Sequence, residues 1–272
     1  TSVGDYLGSH DGTDPAGHIV DSLLNDQPGR IVVAALGNSG NWGKYHVNAI
    51  VDADTSFTWF EVNPNSALGT PAVYFDFWAD TLDFNNVDFA LGANVQNANF
   101  DFRGRTQFLN IQSMLNQTTI DSIMNGANKL SPVEIYAEEV NGVYHLEIFL
   151  ENPDSSNYLF SFMTYGSGEY DLWAGTTMGL SNIVSTGLPT IANYPDIAHY
   201  NMPDTLKTLV SSWNCLESVV SVGNFAAQQD YLDVNGNIYT FAHTPGKLSI
   251  NSSKGPNRKG YIKPDVSATG DG

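Results

Sequence analysis

From His46 to Pro203 the chain is a succession of short segments in which apolar and polar residues alternate at a period of two, which restricts this stretch to β-structure. Ser56–Val62, Ala72–Trp78, Asn99–Phe102, Val133–Tyr136, Tyr144–Leu150 and Tyr158–Met163 all read this way. Asn141-Gly142, between two of them, has the residues of a type I′ hairpin turn, with both central positions at positive φ. Gly166-Ser167-Gly168 reads as another turn, folding Tyr170–Trp173 back onto the 158–165 strand. It lacks the G-x-S-x-G spacing of a nucleophile elbow. The same stretch holds 23 of the 32 aromatic residues and 18 of the 29 acidic ones, against three basic residues, Arg103, Arg105 and Lys129. So sharp a change of texture marks a separate domain, expected to be a jelly-roll-like β-sandwich. The expected boundaries are 1–45, 46–203 and 204–272.

The flanks have a different texture. Asp14-Pro15 supplies an N-cap and a first-turn proline, and Ile19, Val20, Leu23 and Leu24 follow at helical spacing, so a helix is expected from there to about Asn25. Ile31–Ala35 is a run of five apolar residues without alternation, the pattern of a parallel strand covered on both faces. It leads into Gly37-Asn38-Ser39-Gly40, which leaves the Asn38 amide at the carboxyl end of the strand, where open α/β sheets bind ligands. Taken alone, this tetrapeptide reads as a hydrated turn closing a strand. Glu217–Gly223 and Gly246–Asn251 read as further strands. The flanks together predict an α/β fold: a partial, discontinuous parallel sheet interrupted by the sandwich.

Charge and composition remove several function classes. A formal net charge of −18 opposes binding to nucleic acid or to anionic membranes. No apolar run approaches the roughly 18–20 residues of a membrane span. The single Cys215 permits no internal disulfide, and its setting, Trp213-Asn214-Cys215-Leu216, reads as core. Asp230–Asn237 contains D-x-x-D-x-N-G-N, but its glycine falls one place early for an EF-hand loop and Thr244 stands where the bidentate Glu belongs, so it reads as a hairpin. No metal site and no cofactor is expected.

Six blocks occur in a telling order: Ser2-Val3-Gly4, His10-Asp11-Gly12-Thr13, Gly29–Asn38, Val219–Gly223, Ser252–Pro256, and Lys263–Gly270. Together they resemble the subtilisin-like serine proteases, most of all the branch with a β-sandwich inserted after the G-N block. The resemblance implies a secreted or cell-surface serine endopeptidase acting on peptides or proteins. Asn38 would be the oxyanion-hole side chain, and Ser2, Val3, Gly4 and Ala35, Leu36, Gly37 would line the substrate cleft. Leu36 is larger than the residue common in the family and would narrow or reshape the specificity pocket. In this resemblance H-D-G-T is a structural loop, and the blocks carrying the catalytic Asp, His and Ser do not occur in the sequence, which begins inside the S-x-G motif. The chain is therefore expected to be an internal segment, inactive by itself, and to self-associate through the incomplete sheet of 1–45 and 204–272. The rival readings are a pseudoprotease and a non-catalytic module whose aromatic, acidic sandwich binds carbohydrate or protein.

Overall fold

The computed structural model describes residues 6–66, 69–174, 181–209, 211–242 and 244–271. The chain divides into two compact units, 1–43 with 205–272 and 44–204. The expected fold class is overturned. The chain is mostly β, 45% strand against 11% helix, and its dominant feature is a closed seven-stranded antiparallel barrel, not an α/β parallel sheet carrying a jelly-roll sandwich.

The first segment holds helix α1 (Pro15–Asn25) and strand β1 (Val32–Ala35). Asp14 Oδ1 accepts from the Gly17 N–H at 2.9 Å, capping the helix with Pro15 in its first turn. The helix packs against a 3-10 turn at Ser212–Cys215.

The second unit begins with β2 (His46–Asp52), β3 (Ser56–Val62), β4 (Ala72–Asp80), the one-turn helix α2 (Thr81–Phe84) and β5 (Val87–Val95). It continues through β6 (Phe102–Arg105), β7 (Leu109–Asn110), β8 (Gln117–Asn125) and β9 (Asn128–Val140). It ends with β10 (Val143–Glu151), β11 (Tyr158–Trp173) and β12 (Ser181–Ile183). Pairing runs antiparallel from β11 to β4, β10, β9, β8, β6 and β5, and β5 returns to β11, which closes the barrel. Asn141 and Gly142 do adopt positive φ, 57° and 80°, in the β9–β10 hairpin.

Closure depends on β11. Its first half pairs with both β3 and β5, and its second half with β2 and β4. Gly166-Ser167-Gly168, expected to be a hairpin turn, instead lies inside this continuous 16-residue strand, at the point where its pairing partners change. A Cβ would lie 2.1 Å from Asn86 O at Gly166 and 1.7 Å from Asp83 O at Gly168, so glycine is required where the strand meets the chain beside α2. The expected hairpin would have needed a reversal here; the continuous strand joins the two sets of partners into one sheet.

Alternation then sorts the side chains. Phe75, Phe77, Leu146, Ile148, Phe162 and Phe89 fill the barrel interior, each at 0% exposure. Burying side chains of this size contributes about 1.5–3 kcal/mol each. On the outside of β3 and β11, Phe57, Trp59 and Leu159 form a second cluster with Val184, Tyr194, Ile197 and Tyr200 from the segment after β12.

The first unit resumes with β13 (Val219–Ala226), the hairpin β14 (Asp230–Leu232) and β15 (Ile238–Thr240), and β16 (Val266–Asp271). β1, β13 and β16 form a three-stranded parallel sheet. Two expectations fail here. The third strand is β16, whereas Gly246–Asn251 is irregular and makes a single bridge between Leu248 and Phe225. The reason lies in Lys263-Pro264-Asp265: the Asp265 carboxylate accepts from Ser221 N–H and Oγ–H, each at 2.7 Å, and from Lys263 Nζ at 2.8 Å, fastening the chain alongside β13 just before β16 starts. Nor is β1 covered on both faces. Ala34 is buried, but Val33 is 46% exposed and the neighbouring Ile31 66% exposed.

Candidate functional site

The sequence nominates the end of β1, and there the chain is held tightly by a segment more than two hundred residues away. Leu36 N–H extends the ladder to Val222 O at 3.0 Å. Gly37, at φ 112°, then turns the backbone so that its carbonyl accepts from Ser253 N–H at 2.9 Å. Ser39 N–H donates to Ser253 Oγ at 2.9 Å and Gly40 N–H to Asn251 O at 3.0 Å. A Cβ at Gly40 would lie 2.0 Å from Ser252 O, so the second glycine permits this contact. Ser252 Oγ accepts from Asn224 N–H at 3.1 Å, tying the same segment to the end of β13. The G-N-S-G loop is thus a fixed turn locked to the S-S-K-G block.

Within this frame Asn38 is exposed beside the buried Ser39, and its side chain makes no hydrogen bond among the described residues. Ala35 is also exposed, with its carbonyl accepting from Asn214 Nδ2 at 2.9 Å. Leu36 points the other way, 1% exposed against Leu209 and Cys215. Ser2, Val3 and Gly4 lie outside the described residues. The structure therefore brings Ala35, Gly37 and Asn38 to one open strand end and buries the Leu36 side chain.

Other titratable groups of this unit are engaged in holding its loops. In H-D-G-T, Ser9 Oγ accepts from the N–H groups of Gly12, Thr13 and Asp14, while Asp11 accepts from Thr13 and pairs with Arg258. Cys215 is fully buried, and burial, followed by the charges of Asp11 and Asp14, pushes its thiol well above the usual range, as befits a core residue. Burial opposes ionisation of Asp265, but the hydrogen bonds from Lys263 and Ser221 hold its carboxyl below the usual range. In the 230–240 hairpin Asp233 Oδ1 accepts from the N–H groups of Asn235 and Asn237, each at 2.8 Å, which makes it a turn anchor.

The barrel unit carries polar features that the sequence reading missed. His145 stacks on Trp78 at 4.1 Å, with Nε2 at 2.6 Å from Asp76 and Nδ1 at 3.0 Å from Glu138. Burial works against its charged form, yet the Asp76 charge and the hydrogen bonds the imidazole donates to Asp76 and Glu138 prevail and raise its pKa to about 9. His46 Nε2 lies 2.9 Å from Asp171 and Nδ1 2.9 Å from Asp204. Asp76 and Trp78 alternate with the buried Phe75 and Phe77, and the register, which sets His145 opposite both Trp78 and Glu138, brings them into one cluster. Among the described residues no group of three His, Cys, Asp or Glu is arranged to hold a metal ion, and no helix is long and apolar enough to cross a membrane. Compared with known proteins, the chain matches no family model, and no curated protein matches it.

Proposed function

We propose that the chain is a segment of a secreted subtilisin-like serine endopeptidase, contributing the oxyanion-hole donor and part of the substrate cleft, with the catalytic Asp, His and Ser supplied by other parts of the protein. The observation that supports this reading is Asn38: an exposed amide on a turn locked by Asn251 and Ser253 at the carboxyl end of a parallel strand. An oxyanion-hole donor has to be fixed before charge develops, because a donor that must reorganise in the transition state gives back much of what it contributes. Asn38 Nδ2 would donate to the oxyanion of the tetrahedral intermediate. Since the Ala35 and Gly37 carbonyls already accept from Asn214 and Ser253, a peptide lying along 35–37 would pair with the remaining backbone groups and the exposed Ala35 surface.

The test is Asn38→Ala in the complete protease. The expected loss is about 100- to 1,000-fold in kcat, the magnitude known for this donor in subtilisin itself, with KM little changed because the oxyanion exists only in the transition state. An unchanged kcat would remove Asn38 from the mechanism. The exposed position of Asn38 makes the experiment clean, since its substitution leaves no buried group without a partner.

A further inference from the structure

On the outside of the barrel, where β3, β5 and β11 meet the segment after β12, lies a cavity of about 380 Å³, within the size range of small-molecule sites. Its floor exists because of one glycine. Gly92 faces Ser161 across the β5–β11 pair, and a Cβ there would lie 2.5 Å from Ser161 Oγ and 3.0 Å from Met163 Sδ. Ser161 is 2% exposed, and its hydroxyl has no hydrogen-bond partner among the described residues. A buried hydroxyl in that condition is costly unless something entering the cavity supplies the missing bond.

The walls and rim indicate what could enter. Phe57 and Tyr194 meet edge to face at 6.2 Å, and Phe102, 50% exposed, stands at the opening. Aromatic faces of this kind attract cations. Asp54 and Asp196 occupy the rim, both exposed, and neither has an ion-pair partner among the described residues. Among the described residues no Lys or Arg lines the cavity, and its one basic side chain is His199. Its setting is the stretch with 18 acidic residues and three Arg or Lys, whose field favours positive ligands.

We propose that this cavity binds a small organic cation, an ammonium or guanidinium group on a short carbon chain that also carries a polar end. The cationic group sits between Asp54 and Asp196, the chain lies against Phe57 and Tyr194, and the polar end reaches Ser161 Oγ. This inference is independent of the protease reading, since none of its residues belongs to the unit that carries Asn38.

Agmatine, titrated by calorimetry into the full chain, is the probe, with 1,4-butanediol and glucose as neutral controls. The expected result is saturable 1:1 binding of agmatine, weakened at least tenfold in Asp54→Asn/Asp196→Asn and several-fold in Ser161→Ala, with little binding of either control. Gly92→Leu, which fills the floor, should abolish it. The rim variant is exposed and leaves the fold intact, so it decides the matter even where Gly92→Leu fails to fold. Binding of agmatine that is unchanged in the rim variant overturns the proposal. So does saturable binding of glucose with none of agmatine, which would make the cavity a carbohydrate site.

Discussion

The barrel and the parallel sheet hold themselves together by different means. The barrel joins seven strands into a ring without a free edge around an interior of fully buried aromatic and aliphatic side chains. The parallel sheet has three short strands and keeps Ile31 and Val266 more than half exposed; its loops are fastened by specific hydrogen bonds, Ser253 to the G-N-S-G turn, Asp265 to Ser221, Ser9 and Asp14 to the first turn of α1. Non-directional burial sets a shape, whereas directional bonds fix individual groups. The unit with the thinner core is therefore the one that holds the turn bearing Asn38 in a defined place, and the barrel supplies most of the buried apolar surface.

The largest effect expected from this contrast is Phe162→Ala. Phe162 is at 0% exposure and touches the rings of Phe75, Phe77, Phe89 and Tyr170, so its truncation leaves a cavity that a closed barrel cannot collapse around. It should cost about 3–5 kcal/mol. Hydrogen exchange followed by mass spectrometry should show the loss across β4, β5 and β11 with residues 205–272 unaffected. Loss of protection throughout the chain would mean that the two units unfold as one.

The barrel should also respond to pH through His145. Its folded pKa, raised to about 9, exceeds the unfolded value near 6.5, so its contribution is fully present below pH 6.5 and is lost as pH rises through 9. Two and a half pH units correspond to roughly 3 kcal/mol. Glu147, whose pKa burial raises, adds a slope of the same sign at lower pH. Urea melts between pH 6 and 9.5 should show the decline, and His145→Gln should flatten it above pH 6.5. A flat wild-type profile would mean that the imidazole is not charged in the fold.

In the other unit a smaller effect is expected from a directional bond. Asp14→Ala removes the cap on Gly17 and the acceptor for Ser9 N–H, and should cost about 1 kcal/mol. Exchange should quicken in α1 and the 9–14 loop while β13 stays protected. Equal quickening in the barrel would contradict the division into units.

What could be read from the sequence was local. The Asp14-Pro15 start, the Asn141-Gly142 turn and the Asn235-Gly236 turn each depend on a few adjacent residues, and each forms. Period two correctly marked β3, β4, β10 and the first half of β11. Closure was not legible, because Gly166 and Gly168 serve a close approach to Asp83 and Asn86 that their own neighbours do not announce. The same holds at the candidate site. G-N-S-G could be read as a polar turn after a strand, but its attachment to Ser253 is a contact 214 residues away, and the floor of the barrel cavity is a cross-strand pair, Gly92 with Ser161.

The smallest change in stability and the sharpest change in behaviour should come from the exposed apolar side chains of the parallel-sheet unit. Ile19 and Leu23 on α1 are 61% and 57% exposed, Ile31 before β1 is 66%, and Val266 on β16 is 52%. Exposed surface of this kind on a thinly covered three-stranded sheet with open edges favours association with another copy, whereas the seven strands of the barrel ring pair with one another. Substituting Ile19→Lys and Ile31→Lys removes no buried contact, so each should alter stability by no more than about 0.5 kcal/mol. Together they should shift the chain toward monomer. Light scattering coupled to size exclusion gives the comparison: the unsubstituted chain is expected above its monomer mass of 29.5 kDa at micromolar concentration, and the double variant at that mass. A monomeric unsubstituted chain would show that these side chains are tolerated in water, and that closure of the barrel is not what separates the two units in their association.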